Sequence, residues 1–518
     1  MIQRAFCLCY NPCSCIQVII PHEVGVPGLK TVLILVLVLF LLPASLLWLS
    51  CGGSSSSSGS RSSGLSYRAF ISNYVTAGGA SAGVYVVNAL ADTRGPLAPI
   101  SAGNSPGMMV VTPNLAQTLV FSGNGTQFSD NEFTVINNAT ESAASHTNLP
   151  GMTYSIVVSP DSSTAYVAVP TFPVTGQPAS GAVVVINLST GVTAEISCPP
   201  VNPANPVCVW PSTVPQGFNQ PYQFLAMGNT GTRLLAFSQG ADSVANTIAV
   251  ITPSSVATQY PVVTFVPGFD HPVAAFFNSD DTAAYVLNCG AECGGQQASI
   301  QTLDLTTNTA GPAGVVCTPG GNPSCIGTLS LTAGSVALVT GSTMYIAGTP
   351  PLIGGVPQQP CTGETTAAQS CGLLTIVDLS TMTVTNSGII ITDGYHNQIA
   401  LGPNEQLFIG ARTCTEIVPP IPPPPGAETR GCLSIYNTLT TTVGGVSPGG
   451  VAIPNQNGDV TGIQPIAKRQ VVYVVQGGSL YIYDATTDAL EYNPNNPLNP
   501  GEVNGLVGYF IDVKTVDF

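Results

Sequence analysis

Between residues 66 and 518, apolar and polar positions alternate with a period of two in short runs, each closed by Gly, Pro, Asn, Asp or Ser. The stretch SPDSSTAYVAV, Ser159 to Val169, shows the unit: a turn of Pro, Asp and Ser, then an alternating run. It recurs as TPNLAQTLVFSGN from Thr112, GNTGTRLLAFS from Gly228, NSDDTAAYVLN from Asn278 and GPNEQLFIGA from Gly402, with weaker copies TGSTMYIAG from Thr340 and AKRQVVYVVQ from Ala467. After each comes a second alternating run ending in a polar turn, as in EFTVINNAT, GAVVVINLSTG, ASIQTLDLTTN and SLYIYDATTD. The repeated order is turn, strand, variable loop, strand, tight turn, a third short strand, and a further strand leading into the next turn.

Four strands per unit at a spacing of roughly 45 to 70 residues predict β-propeller blades, and an all-β fold. The pair SPDSSTAYVAV and GAVVVINLSTG is similar to the YVTN-type propeller repeat of the lactonase-like superfamily, over residues 66–518. Asn or Thr often stands where that motif has Asp. The resemblance implies the fold. It leaves activity open, because related blades serve lactonase-like enzymes, surface-layer proteins and binding modules. The first strands of successive units pass through Phe70, Leu119, Ala165, Leu234, Ala284, Met344, Leu407 and Val472, which predicts eight blades, with seven as the alternative. The terminal stretch GLVGYFIDVKTVDF reads as an innermost strand that belongs before Phe70, so the two ends should pair and close the ring.

The front of the chain differs. After Lys30 comes TVLILVLVLFLLPASLLWLS, an uncharged run long enough to cross a bilayer, then Cys51 and the polar stretch GGSSSSSGSRSSG. This resembles a bacterial lipoprotein signal, with Cys51 as the lipidated residue and residues 51–65 as a Ser/Gly tether. Trp48 occupies a position where Leu is usual, and the alternative is an uncleaved anchor. Both readings place the propeller outside the cytoplasm, in the cell envelope on a periplasmic or cell-surface face. Cys7, Cys9, Cys13 and Cys15 precede this signal. A start at Val24 or Val26 would leave them untranslated; a long leading region or a zinc site are the other readings.

Composition narrows the partners. Net charge is −15 with only 11 Lys and Arg, scattered singly, which excludes the basic stripe that nucleic acid requires. With charged residues at 7%, long amphipathic helices are not expected.

Ten cysteines of the repeat region fall into five neighbouring couples: Cys198 with Cys208, Cys289 with Cys293, Cys317 with Cys325, Cys361 with Cys371, and Cys414 with Cys432. With an export signal, this predicts disulfides pinning long loops. On the propeller pattern each couple lies in a loop between the second and third strands of a blade or between blades, so that all elaboration gathers on one face. The run PPIPPPP from Pro419 should stiffen one such loop.

No catalytic, phosphate or dinucleotide motif appears. The mature chain has three histidines, His146, His271 and His396, each shortly before an expected innermost strand. His271 and His396 fall at nearly equivalent repeat positions with Asp270 and Asp393 close by, which would place them at the mouth of the central channel as candidate binding, metal or acid–base residues. The alternative is that they are ordinary polar loop residues. No cofactor is implied, though a divalent metal is compatible with these residue types. The expected function is non-catalytic binding of a small ligand, glycan or envelope protein through the pinned loop face; the alternative is a lactonase-like or metal-assisted hydrolase at the channel mouth.

Overall fold

The computed structural model describes residues 6–11 and 14–18, and residues 63–517 except 76–80, 124–129, 173–179, 192, 197–221, 239–244, 254–261, 319–323, 354–355, 358–370, 413, 415–431, 444–445, 455–457 and 500. The chain divides into two units, Met1–Ser60 and Arg61–Phe518. In the first, Phe6–Asn11 pairs antiparallel with Ser14–Val18, Cys9 opposite Cys15. The stretch after Lys30, with Cys51, lies outside the described residues, among which no helix is long and apolar enough to cross a membrane.

The second unit is an eight-bladed β-propeller. From the axis outward, blade 1 comprises Tyr509–Thr515, Arg68–Val75, Gly83–Asn88 and Thr93–Arg94; blade 2 runs from Pro106–Val111 to Ser142–Asn148, and blade 3 from Ser155–Val158 to Thr193–Ile196. Blade 4 runs from Tyr222–Met227 to Val262–Pro267, blade 5 begins with Pro272–Phe277, Ala283–Asn288 and Ser299–Asp304, blade 6 runs from Val336–Thr340 to Thr383–Ile391, blade 7 from Tyr395–Leu401 to Val451–Ala452, and blade 8 from Val460–Ile466 to Ala489–Leu490. The expected closure is present: Ala69 lies opposite Thr515 and Ile71 opposite Val513.

Alternation with both phases apolar has a direct structural cause here. The middle strands of each blade are covered on both faces, so neither set of their alternating side chains meets water. In Leu234–Ser238, Leu234 and Ala236 pack with Tyr166 and Val183 of blade 3, whereas Leu235 and Phe237 pack with Ala284 and Val286 of blade 5. Eight such cores separate the eight blades. Each fully buried Leu or Phe contributes about 1.5–3 kcal/mol, so stability is distributed around the ring.

The turns explain how a degenerate motif keeps its shape. At the end of the third strand an Asx side chain accepts N–H groups two or three residues on: Asp304 from Thr306 and Thr307, Asp484 from Thr486, and equally Asn137 from Ala139 and Thr140, and Asn187 from Ser189 and Thr190. An amide oxygen serves as well as a carboxylate. In the unit that includes Ser159, Asp161 accepts from Ser163 N–H and the Ser159 hydroxyl accepts from Thr164 N–H.

Two expectations about the loops need correction. In blade 5 the fourth strand is interrupted: the chain starts it at Thr309–Ala310, leaves to form Gly314–Cys317, and returns as Cys325–Ser330 beside the third strand. The Cys317–Cys325 disulfide therefore bridges an outer hairpin rather than closing a loop. Ser324, next to Cys325 in that hairpin, lies at the opposite face, where its hydroxyl donates to Ser380 O at 2.6 Å in the third-to-fourth strand turn of blade 6. Elaboration is thus not confined to one face. In blade 8 the second and third strands are joined by Gly477 and Gly478 alone.

Candidate functional site

On the face carrying the longer loops, the mouth of the channel over blades 5 to 7 is built from sequence-distant pieces. The loop after the second strand of blade 5 forms one short 3₁₀ turn, Gly290–Cys293, closed by the Cys289–Cys293 disulfide. Asp270, just before the first strand of that blade, pins this loop by accepting the N–H groups of Gln296 at 2.9 Å and Gln297 at 2.7 Å. Gly295 permits the approach: a Cβ there would stand 1.8 Å from Asp270 Oδ1. His271 is buried at positive φ, with Nδ1 3.1 Å from Asp270 Oδ1.

The turn carries Glu292 toward blade 6, where its Oε2 accepts the Thr349 N–H at 3.0 Å. Ser335, in the connection between blades 5 and 6, also bonds to Glu292 while its hydroxyl lies 3.0 Å from His396 O. Thr349 in turn donates its hydroxyl to Gly394 O at 2.8 Å, in the connection to blade 7. Gly394 has φ +94°, and a Cβ there would meet Arg412 O and Cys414 N; this close packing sets Arg412 beside the Cys414–Cys432 disulfide. Tyr395 and Arg412 are opposite one another on the first two strands of blade 7, so their side chains share a face. This chain of contacts thus links the Cys289–Cys293 loop of blade 5, through blade 6, to the strand entry beside the Cys414–Cys432 disulfide of blade 7.

The electrostatics of this corner are unusual. Burial pushes the Glu292 carboxyl up to about 7, against the Thr349 N–H that favours its charged form. Burial also raises the Tyr395 hydroxyl; Glu292 adds to that shift and Arg412 opposes it, so the hydroxyl lies within electrostatic reach of both. Arg412 is exposed and has no ion-pair partner among the described residues, whereas Arg68 and Arg469 are each held by two carboxylates.

The histidines separate. His146 is not at the mouth: it lies on Ser142–Asn148, the outermost strand of blade 2, half exposed and paired with Glu132. His271 and His396 do lie at equivalent entries, to blades 5 and 7, with blade 6 between them. His396 is fully buried, and its Nε2 donates to Thr392 O at 2.9 Å. Burial pushes it down to about 4, so it is neutral at neutral pH, and its Nδ1 has no partner. Asp393 is buried in the connection before blade 7. No group of three or more His, Cys, Asp or Glu suited to a metal occurs among the described residues. Sequence reasoning did not single out Glu292, Tyr395 or Arg412; the nearest signal was the position of Glu292 inside a Cys-x-x-x-Cys loop.

Of the predicted disulfides, Cys289–Cys293, Cys317–Cys325 and Cys414–Cys432 are formed, and Cys371 is disulfide-bonded. Cys198, Cys208, Cys361 and the Pro419 run lie outside the described residues.

No family model matches the chain, and no curated protein matches it. Similar solved structures include the dihydro-heme d1 dehydrogenase NirN, 11% identical with 89% of this chain and 78% of that one covered, at a TM-score of 0.49. The Pseudomonas aeruginosa periplasmic gluconolactonase PpgL is 13% identical, with coverage of 87% and 98% and a TM-score of 0.40. The Kuenenia stuttgartiensis hydrazine synthase is 13% identical, with coverage of 71% and 87% and a TM-score of 0.41. Likenesses at these values leave the activity of this chain undecided.

Proposed function

We propose that this protein is a lipid-anchored β-propeller of the cell envelope that binds a small ligand, glycan or envelope protein through the loop face over blades 5 to 7. The observation that carries this reading is the latch from Glu292 through Thr349 to Gly394, which ties the Cys289–Cys293 loop to the entry of blade 7 beside the Cys414–Cys432 disulfide. Rigid loops on a stable scaffold bind with less ordering cost than mobile ones. The disulfides fit an oxidising compartment, and the Cys51 signal fits export. The test is a screen of the purified full chain against glycans and envelope proteins. Hits should weaken at least tenfold in a Thr349→Ala variant that uncouples the loops. Hits indifferent to that change would move binding elsewhere, and an intact mass without acyl chains on Cys51 would remove the anchor.

A second reading is favoured by Glu292 itself: a carboxyl that titrates near neutrality beside a Tyr hydroxyl is suited to acid–base work in a hydrolase. Turnover of ester or lactone substrates that disappears in Glu292→Gln would establish it.

A further inference from the structure

We infer that the face opposite the mouth, in the sector of blades 8, 1 and 2, docks on the lipid surface to which the chain is anchored, so that the loop face points away from the membrane. This rests on the anchored reading and adds its orientation. It holds for a lipidated Cys51 and for an uncleaved anchor alike, because either one precedes the same connection. The first observation is where that connection joins the propeller. Ser63 donates its backbone N–H and its hydroxyl to the Glu141 carboxylate, in the third-to-fourth strand turn of blade 2. Next, the Tyr67 hydroxyl accepts the Lys468 N–H at 2.7 Å, in the first-to-second strand turn of blade 8. Turns of both kinds open on the face opposite the mouth. Ser63 stands twelve residues after Cys51, a reach of at most about 43 Å extended and about 20 Å on average. The mouth lies a blade height farther off, about 23 Å for a seven-residue strand such as Tyr395–Leu401.

The second observation is what that sector exposes. The fourth strand of blade 8 starts at Ala489–Leu490, departs once Glu491 N–H has bonded Ile482 O, and comes back at Gly501, whose O accepts the Ile482 N–H. The excursion between is fastened to the third-to-fourth strand turn of blade 1, where the Asn493 and Asn495 side-chain amides donate to Asp92 O and Ala91 O, each at 3.1 Å. It carries Leu498 and Tyr492, the two most exposed large apolar side chains among the described residues, at 90% and 70%. Leu90, beside Ala91 in the turn that holds the excursion, is exposed as well. Leu and Tyr are residue types that gain by entering the boundary between headgroups and acyl chains. The anchor keeps a bilayer permanently within reach of this sector, which makes lipid the occupant. The charges beneath answer one another, Arg469 with Asp92 and Glu491, so the contact is apolar rather than ionic.

The test uses the full anchored chain in phosphatidylcholine vesicles, with a bimane fluorophore on one introduced thiol. Ala489→Cys places the label in the docking sector, and Tyr154→Cys places it at the entry to blade 3 on the loop face; both positions are exposed. Vesicle lipids with brominated acyl chains quench a fluorophore that touches them. The expected result is quenching at least twofold stronger at 489 than at 154, as strong in high salt as in low. Tyr492→Ser combined with Leu498→Ser should cut the quenching at 489 at least twofold, and circular dichroism should show that variant folded as the parent is, because both side chains are exposed.

Equal quenching at the two positions, on a chain that floats with the vesicles, would overturn the inference while leaving the anchor intact. Stronger quenching at 154 would overturn it by turning the loop face to the lipid. Quenching at 489 that is indifferent to the paired serine changes would overturn the docking surface and leave the tether alone to hold the chain. A chain that does not float with the vesicles, and whose intact mass shows neither acyl chains on Cys51 nor the apolar run after Lys30, would overturn the anchored reading and this inference with it.

Discussion

The seam where the ring closes and the mouth over blades 5 to 7 treat charge in opposite ways. At the seam every charge is answered. Arg68 donates to Asp517 near the C-terminus and to Glu141 of blade 2, and Arg469 of blade 8 bonds to Asp92 of blade 1 and to Glu491. Tyr473 adds a hydroxyl to Asp92. At the mouth, among the described residues, Glu292 has no cationic partner bonded to it, the exposed Arg412 has no acid, and His396 is neutral with an orphan nitrogen. Full pairing locks two ends of a chain together; incomplete pairing leaves interactions for something else to complete.

The largest effect should come from breaking the seam. Arg68→Ala leaves Glu141, whose side chain is 0% exposed, buried without its cation and with neutral donors from Ser63, and should cost about 3–5 kcal/mol in urea unfolding. Arg412→Ala, at an exposed group without an ion-pair partner, should stay within about 0.5 kcal/mol of the parent. Comparable losses in both would mean that Arg412 serves the fold, and the contrast would collapse.

Titration gives the next effect. The folded-state value for Glu292, about 7, lies above its ordinary 4.5, so its contribution to stability is present below the ordinary value and lost as pH rises through 7. His396, lowered to about 4 from 6.5, runs the other way: its contribution is present above 6.5 and lost as pH falls through 4. Relative to Glu292→Gln, the parent should therefore lose up to about 3 kcal/mol between pH 5 and pH 8. A parent and variant with parallel pH profiles would show that Glu292 is charged throughout.

A smaller effect attends the Cys289–Cys293 bond. A closure this short contributes about 2 kcal/mol at most by chain entropy. Its replacement by two serines should do less to global unfolding than to local order, seen as faster hydrogen exchange at the Gln296 and Gln297 amides that Asp270 holds. Unchanged exchange there would assign the pinning to Asp270 alone.

Much of the ring was legible because a propeller blade writes itself locally. Both alternating phases of Leu234–Ser238 are apolar, and its neighbours repeat the pattern, so strand count and closure follow from period and number. The mouth was not legible in the same way. Glu292 acquires its character from burial, set against bonds from Thr349 and Ser335, which belong to other segments and meet it only when blades 5 and 6 are side by side. His146 misled for a related reason. An outermost strand is covered on one face only, so SAASHTN is polar enough to read as a loop. The interrupted strand of blade 5 was hidden because Thr309–Ala310 and Cys325–Ser330, separated in sequence, together supply what other blades take from one run.

The smallest predicted effect concerns the degenerate motif. Asn187 replaces the Asp of the repeat pattern, yet its Oδ1 accepts Ser189 N–H at 3.0 Å, Thr190 N–H at 3.1 Å and the Ser189 hydroxyl at 2.7 Å. All three are bonds to an oxygen acceptor, which carboxylate and amide both supply. Asn187→Asp should accordingly leave the unfolding midpoint nearly unchanged, within about 0.5 kcal/mol, and Asn187→Ala should cost about 1 kcal/mol through the lost acceptor. A large gain on restoring Asp would mean that charge, rather than turn geometry, selected the motif. Equal behaviour of Asp and Ala would mean that the backbone turn, with Gly191 at φ +68°, is sufficient without the side chain.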